Sequence, residues 1–156
     1  MRENVELLIA DVMDDLKSID RMKAEYDTFV ADVEWENPSV YEMATIGYYL
    51  HNFYNACESI FRSVAGAFEN QIDGVAWPSS ILKRMKLDIP SVRPRVISDE
   101  LYSLLDDFRA FRHVFRNAYS FELDWAKERL VADKLDTAVS RVREELAAFV
   151  EALRRE

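Results

Sequence analysis

Residues that break helices are scarce in this chain. Among its 156 residues there are three glycines and four prolines. Asn37-Pro38 interrupts one long stretch, and Pro90 with Pro94 interrupts another, because proline lacks an amide proton and restricts the residue before it. Between these points the helix-favouring residues Leu, Ala, Glu and Arg are abundant. The sequence therefore predicts an all-α fold built from long helices.

Apolar side chains recur at intervals of three and four residues, which is the pattern of amphipathic helices. Ser39, with Glu42 three residues later, resembles a capping box at the start of the second helix. We predict an antiparallel bundle of four main helices plus a short extra helix, in a single domain over residues 1–156. The predicted segments are helices at 2–34, 39–68 and 77–85, a loop at 71–76, an extended connection at 86–97, a helix from 98, and a last helix from 124 or 133 to 153.

The charge balance is acidic, with 29 Asp and Glu against 20 Lys and Arg and a formal net charge of −9. A protein that coats nucleic acid would be basic, so that class is excluded, although a small cationic site is not. The single cysteine, Cys57, is expected in the core and suits a reducing compartment. No apolar stretch approaches the ~20 residues of a membrane span, and no signal peptide is recognisable, so we predict a cytoplasmic protein without membrane contact. No residue spacing predicts a metal ion, and no glycine-rich loop predicts a cofactor.

Residues 109–119 read Arg-Ala-Phe-Arg-His-Val-Phe-Arg-Asn-Ala-Tyr and concentrate positive charge in this acidic protein. At ~100° per residue, four of these side chains share about a third of a helix circumference: Arg109, Arg112, His113 and Arg116. An apolar stripe lies on another side: Leu104, Phe108, Phe111, Phe115 and Ala118. We therefore predict a helix with one buried face and a neighbouring cationic stripe suited to phosphate. In the alternative interpretation, the arginines are solvated and pair with acids such as Asp106 and Asp107.

Arg112 is followed by four residues, Asn117, one residue and Tyr119. This spacing resembles the Arg-x4-His-x-Tyr motif of the HEPN superfamily, specifically of its HepT-like branch, whose fold is an all-α bundle. Other phrases within residues 40–130 are similar to that branch too: Leu50-His51-Asn52-Phe53-Tyr54 with Glu58 and Phe61, Trp77 with Leu82 and Met85, Arg93-Pro94, and Phe111-Arg112-His113 with Arg116.

The resemblance implies a metal-independent endoribonuclease whose two protomers bring both copies of the motif to a shared cleft. It also implies the toxin of a prokaryotic, type VII-like toxin–antitoxin pair that cleaves transfer RNA or messenger RNA. The antitoxin would be an MNT-type nucleotidyltransferase that transfers AMP to the motif tyrosine, here Tyr119. Arg112 would stabilise the phosphate, since a guanidinium matches phosphate oxygens, and Arg109 and Arg116 would draw RNA into the cleft. Position 117 would hold the acid–base residue, because histidine titrates near neutral pH.

This chain departs from the motif at its most important position, where Asn117 stands in place of histidine. Asparagine donates and accepts hydrogen bonds but carries no proton to exchange, and loss of a general acid–base typically costs about 10²–10⁴ in rate. We therefore predict an impaired nuclease. His113 lies one turn earlier, roughly 5–6 Å away, which misplaces it for proton transfer. Asn117 is either a substitution that makes a toxic protein producible or the natural residue of a member that has kept only binding.

Glu58 and Arg62 are spaced for an ordinary ion pair within the second helix. Because that helix should face the motif helix, they could instead position Arg112 or contact RNA. His51 is expected to be a hydrogen-bonded histidine between helices. A different functional class stays open, in which the chain is a non-catalytic interaction module or a substrate-binding partner of a nucleotidyltransferase. Restoring the histidine distinguishes the two classes.

Overall fold

The computed structural model describes residues 2–69, 77–119 and 122–156, and it contains six helices in those ranges. Four of them are long and two are short: α1 Arg2–Val30, α2 Val40–Phe68, α3 Trp77–Met85, α4 Asp99–Asn117, α5 Trp125–Ala132 and α6 Leu135–Arg155. The same ranges contain no strand beyond one isolated bridge between Ile89 and Arg93. The all-α class is therefore confirmed, whereas the antiparallel bundle stays a prediction. The predicted loop at 71–76 lies outside the described residues.

Local sequence signals explain most helix boundaries. Ser39 and Glu42 form the predicted capping box, in which each side chain accepts a hydrogen bond from the other residue's backbone amide. α1 ends at Val30, four residues before the predicted end. Of the two predicted starts of the last helix, the later one at Asp133 describes α6, since a turn at Asp133 and Lys134 precedes it. The earlier start at Asp124 caps a separate short helix, α5. The prediction of one extra helix is therefore wrong, because there are two among the described residues.

α2 is the central helix of the fold. It packs against α1, α3, α4 and α5, while α6 closes the structure by contacting α1 and α4. Its aromatic and aliphatic residues Leu50, Phe53, Tyr54 and Phe61 are fully buried, because partners surround most of its circumference. Cys57 is buried among them, as predicted, and burial raises the pKa of its thiol. No helix within the described ranges is long and apolar enough to cross a membrane.

The connection between α3 and α4 is organised around a buried arginine. The Arg93 guanidinium donates to the backbone carbonyls of Leu87 and Arg84 at 3.0 Å each and to the Glu69 carboxylate at 2.8 Å. These hydrogen bonds fix the segment that was predicted to be extended, so that α4 starts at a defined place. Ser98 then caps α4 by accepting a hydrogen bond from the Leu101 amide at 3.1 Å.

Glu128 of α5 is a buried acid that has no ion-pair partner in the described ranges. Its side chain is 1% exposed, and neither carboxyl oxygen has a hydrogen-bond partner among the described residues. A Cβ atom added to Gly47 of α2 would lie 2.6 Å from one of these oxygens and 2.6 Å from the Phe115 ring. Glycine at position 47 thus makes room for this carboxyl group. Burial raises the pKa of Glu128 to about 8, so the group is mostly neutral at pH 7.

We expect Glu128→Gln to stabilise the protein in a pH-dependent way. Between about pH 4.5 and about pH 8, the folded protein keeps a proton that the unfolded chain releases, so its free energy of unfolding falls as pH rises. Glutamine has the same shape and no charge, which removes this dependence. The expected gain is about 3 kcal/mol at pH 7 and close to zero at pH 4, measured by urea unfolding. The exposed Glu122 serves as the control, since Glu122→Gln should change neither value. An equal gain at both pH values would contradict the assignment.

Candidate functional site

The buried face of α4 is Leu101, Leu105, Phe108 and Arg112. Arg112 is only 5% exposed, so it does not belong to an exposed cationic stripe, and that part of the sequence prediction is wrong. Phe111 and Phe115, assigned to the buried stripe, are half-buried. The physical reason is that polar side chains of α2, Asn55 and Glu58, bind Arg112, so the side of α4 that carries Arg112 packs against α2.

Arg112 is held by three side chains of α2. One guanidinium nitrogen donates to Asn55 Oδ1 at 2.8 Å, and another lies 2.7 Å from Glu58 Oε2. The guanidinium carbon stands 4.6 Å from the centre of the Tyr54 ring, within cation–π distance. These contacts compensate the charge of Arg112 and fix the orientation of its planar group. They do not use all five of its N–H donors.

Glu58 joins two arginines. Its Oε1 lies 2.6 Å from the Arg62 guanidinium and its Oε2 lies 2.7 Å from that of Arg112. The ordinary ion pair within α2 and a contact with the motif arginine are thus both present, while a role in positioning Arg112 or in RNA contact stays a prediction. Glu58 is buried, whereas the side chain of Arg62 is about half exposed. The role of Asn55 was not predicted from the sequence. Its spacing from Glu58, one helical turn, was the available signal.

These residues line a cleft of about 560 Å³ between α2 and α4. Its walls are formed by Asn55, Glu58, Ser59, Arg62, Ser63, Arg112 and Arg116. Three arginines stand against one carboxylate, which gives the cleft an excess of positive charge in a protein whose net charge is −9. Hydroxyl, amide and guanidinium donors around a concave site are suited to the oxygens of a phosphate group.

His51 extends this network away from the cleft. Its Nε2 lies 3.0 Å from Asn55 Nδ2, and the ring packs 5.8 Å, centre to centre, from Phe115 of α4. Asn55 Oδ1 is occupied by Arg112, so the amide group donates and the imidazole nitrogen accepts. Burial lowers the pKa of His51, and Arg116 and Arg112 lower it further, which favours the neutral ring that this hydrogen bond requires. The predicted role as a hydrogen-bonded histidine therefore fits the structure.

The other predicted site residues lie outside the lining of the cleft. Arg109 donates to Asp106 at 2.7 Å, a hydrogen bond that raises its pKa, while Asp107 pairs with Lys134. His113 is exposed, and its carbonyl accepts a 2.8 Å hydrogen bond from Asn117 Nδ2 at the end of α4. The alternative interpretation, in which nearby acids neutralise the arginines, therefore describes Arg109 correctly.

Tyr119 follows the end of α4 and is 69% exposed. It stands two residues beyond Asn117, whose side chain is exposed as well. Five residues of helix separate Asn117 from Arg112 by about 140° around the axis, so the two positions face different directions within the chain. The residues that the structure describes contain no group of acids, histidines or cysteines that could hold a metal ion.

The sequence model of the family described as HepT-like protein matches residues 45–153, more than half of this chain. The matched region includes the whole lining of the cleft, both arginine pairs of Glu58, and the motif positions 112, 117 and 119. Neither the curated proteins nor the solved structures contain a match to the chain. The family match agrees with the all-α fold and with the motif resemblance, and the chain belongs to the HepT-like family of HEPN proteins.

Proposed function

We propose that this protein has the architecture of a metal-independent endoribonuclease and is the toxin component of a prokaryotic toxin–antitoxin pair. The observation that carries this proposal is the arrangement of Arg112, which is buried, held by Asn55 and Glu58, and still lines a positively charged cleft. A buried, oriented guanidinium is suited to one phosphate in a fixed position. The solvated arginines of an ordinary helix surface lack that restriction.

Cleavage of RNA next to a ribose 2′-hydroxyl makes specific demands on such a cleft. The hydroxyl oxygen attacks phosphorus after losing its proton, and the departing 5′ oxygen must gain one. The pentavalent phosphorus carries additional negative charge, which Arg112 and Arg116 would stabilise. The residue at position 117 would handle the proton, and Asn117 has none to exchange. The chain as written is therefore expected to bind RNA and to cleave it poorly.

The proposal includes a homodimer, and the geometry of α4 supports it. Because Arg112 and residue 117 face directions about 140° apart, one protomer does not direct both toward a single phosphate. A second copy related by a two-fold axis can supply residue 117 of one chain to the Arg112 cleft of the other. A shared active site of this kind would be incomplete in the monomer.

Asn117 favours a second candidate function, that of a non-catalytic interaction module or substrate-binding partner of a nucleotidyltransferase. In that role the cleft would hold an anionic group of the partner or a nucleotide, and no acid–base residue would be required. The amide of Asn117 is already used to cap a carbonyl of the last turn of α4, a role that asparagine fulfils without any catalytic demand.

The pairing with an antitoxin is tested at Tyr119. After incubation with ATP and an MNT-type nucleotidyltransferase, the proposed antitoxin, intact mass spectrometry should detect one or more added AMP units. The exposure of Tyr119 permits such transfer, and the Tyr119→Phe variant should gain no AMP. Tyr41 is 85% exposed and is the matched control, since Tyr41→Phe should be modified like the parent. If the parent gains nothing from a transferase that is active on another substrate, the interaction module becomes the better explanation.

A further inference from the structure

One face of α2 carries an uninterrupted line of exposed or half-exposed polar and aromatic side chains. We call it the α2 row, and it consists of Tyr48, Asn52, Asn55, Ser59 and Arg62. The spacing alternates between four and three residues, so the five side chains stand above one another along the helix. Asn55, Ser59 and Arg62 line the cleft between α2 and α4, which we call the arginine cleft. Asn52 and Tyr48 continue the row away from the cleft, toward the N-terminus of α2.

The α2 row is free of exposed acid on a protein that has 29 acidic residues. Between Glu42 and the end of α2 at Phe68, the one acid is Glu58, which is buried between two arginines. On the α1 side, Ser59 donates a 3.2 Å hydrogen bond to Asp15, so negative charge borders the row there. On the α4 side the neighbour is Arg116. A polyanion would therefore be guided along the row and toward α4.

Tyr48 is an exposed aromatic residue at the N-terminal end of the row. It is 57% exposed, and its ring is 6.3 Å, centre to centre, from that of Tyr49 at an interplanar angle of 65°, an edge-type contact. Seven residues of helix place Tyr48 about 10 Å from Asn55 along the axis. An exposed aromatic ring beside a positively charged groove is the combination by which proteins hold single-stranded nucleic acid.

We propose that the α2 row is a binding track for single-stranded RNA, with one phosphate in the arginine cleft and a base stacked on Tyr48. This inference rests on the proposed function, because it takes RNA as the substrate and assigns a base-binding site that the cleft alone does not provide. Stacking on a tyrosine ring tolerates any base, so the track favours unpaired RNA over a particular sequence.

The test is fluorescence anisotropy with a labelled oligouridylate of about 12 nucleotides, a length that covers the site sizes of single-strand binding proteins. Tyr48→Ala and Tyr48→Leu should each weaken binding at least about 5-fold, whereas Tyr48→Phe, which keeps the ring, should bind like the parent. The slope of affinity against salt should stay unchanged in the tyrosine variants and decrease in Arg116→Ala, because only the arginine contacts release counterions. Leu130→Ala, which removes an exposed apolar side chain from α5, is the matched control and should bind like the parent.

Each outcome separates the inference from the proposed function. If the parent binds the oligonucleotide and the Tyr48 variants bind equally well, the base-binding site is wrong and the arginine cleft stands. If the parent binds no RNA at all, both are wrong. If Tyr48→Ala changes the molecular mass in light scattering, Tyr48 belongs to an interface between two copies and the inference is overturned. Circular dichroism of each variant verifies that the helices are retained.

Discussion

Asn117→His is expected to produce an RNA-cleaving enzyme whose rate exceeds that of the parent by about 10²–10⁴. The physical reason is that, in the proposed mechanism, the residue at position 117 exchanges a proton with the 2′-hydroxyl or the leaving oxygen. Cleavage of a labelled single-stranded RNA, measured in the presence of EDTA, tests the prediction and its independence of metal. The rate should fall at acidic pH, where the new imidazole is already protonated and cannot accept a proton.

The structure indicates that this substitution is tolerated. The side chain at position 117 is exposed at the end of α4, so an imidazole there displaces no core residue. The hydrogen bond from Asn117 to the carbonyl of His113 is lost, at a cost of about 1 kcal/mol. A protonated histidine partly offsets this loss, because positive charge is favourable at a helix C-terminus.

Two variants keep the result interpretable. Asn117→Gln changes the side chain without adding a group that can exchange a proton near neutral pH, so it should stay as slow as the parent. Asn117→His combined with Arg116→Ala should cleave more slowly than Asn117→His alone, because Arg116 lines the cleft that we propose holds the phosphate. If Asn117→His is folded, dimeric and as inactive as the parent, the protein is an interaction module and the ribonuclease proposal fails.

Periodicity in the sequence was sufficient to predict the four long helices but not the separate helix α5 or the rotation of α4. The three-four pattern predicts that Phe108 is buried, and it is. The same pattern places Arg112 on the solvent side, because an isolated helix contains no information about a partner 54 residues away. Glu58 and Asn55 on α2 make the burial of a guanidinium favourable, and this depends on tertiary packing.

The C-terminal part of the chain shows a second limit of prediction from sequence. Both Asp124 and Asp133 carry the signature of a helix start, and the sequence does not decide between them. In the structure α5 begins after Asp124, and Asp133 ends it, since its amide bonds to the carbonyl of Arg129. Glu128 was not singled out in the sequence, because an acid within a helix is ordinarily exposed. Its burial depends on the space left by Gly47, which becomes apparent only when α5 packs on α2.

Glu58→Gln is expected to lower the free energy of unfolding by about 3 kcal/mol. The Arg112 guanidinium would remain buried with Asn55 as its neutral partner, and a buried charge left without its counterion costs about 3–5 kcal/mol. Arg112→Met should cost less, about 1–2 kcal/mol, because Glu58 retains the half-exposed Arg62 and the methionine fills part of the space. The asymmetry follows from burial, since Arg112 is only 5% exposed whereas the side chain of Arg62 is about half exposed.

Urea unfolding of the two single variants and the double variant measures this asymmetry directly. The double variant should be less destabilised than the sum of the single variants, because the glutamine no longer leaves a buried charge unpaired once Arg112 is gone. Asp106→Asn breaks the more exposed pair with Arg109 and is the control, expected to cost about 0.5 kcal/mol or less. Equal costs for Glu58→Gln and Asp106→Asn would mean that the Arg112 charge is solvated. The cleft would then lack the fixed guanidinium on which both phosphate binding and the proposed ribonuclease depend.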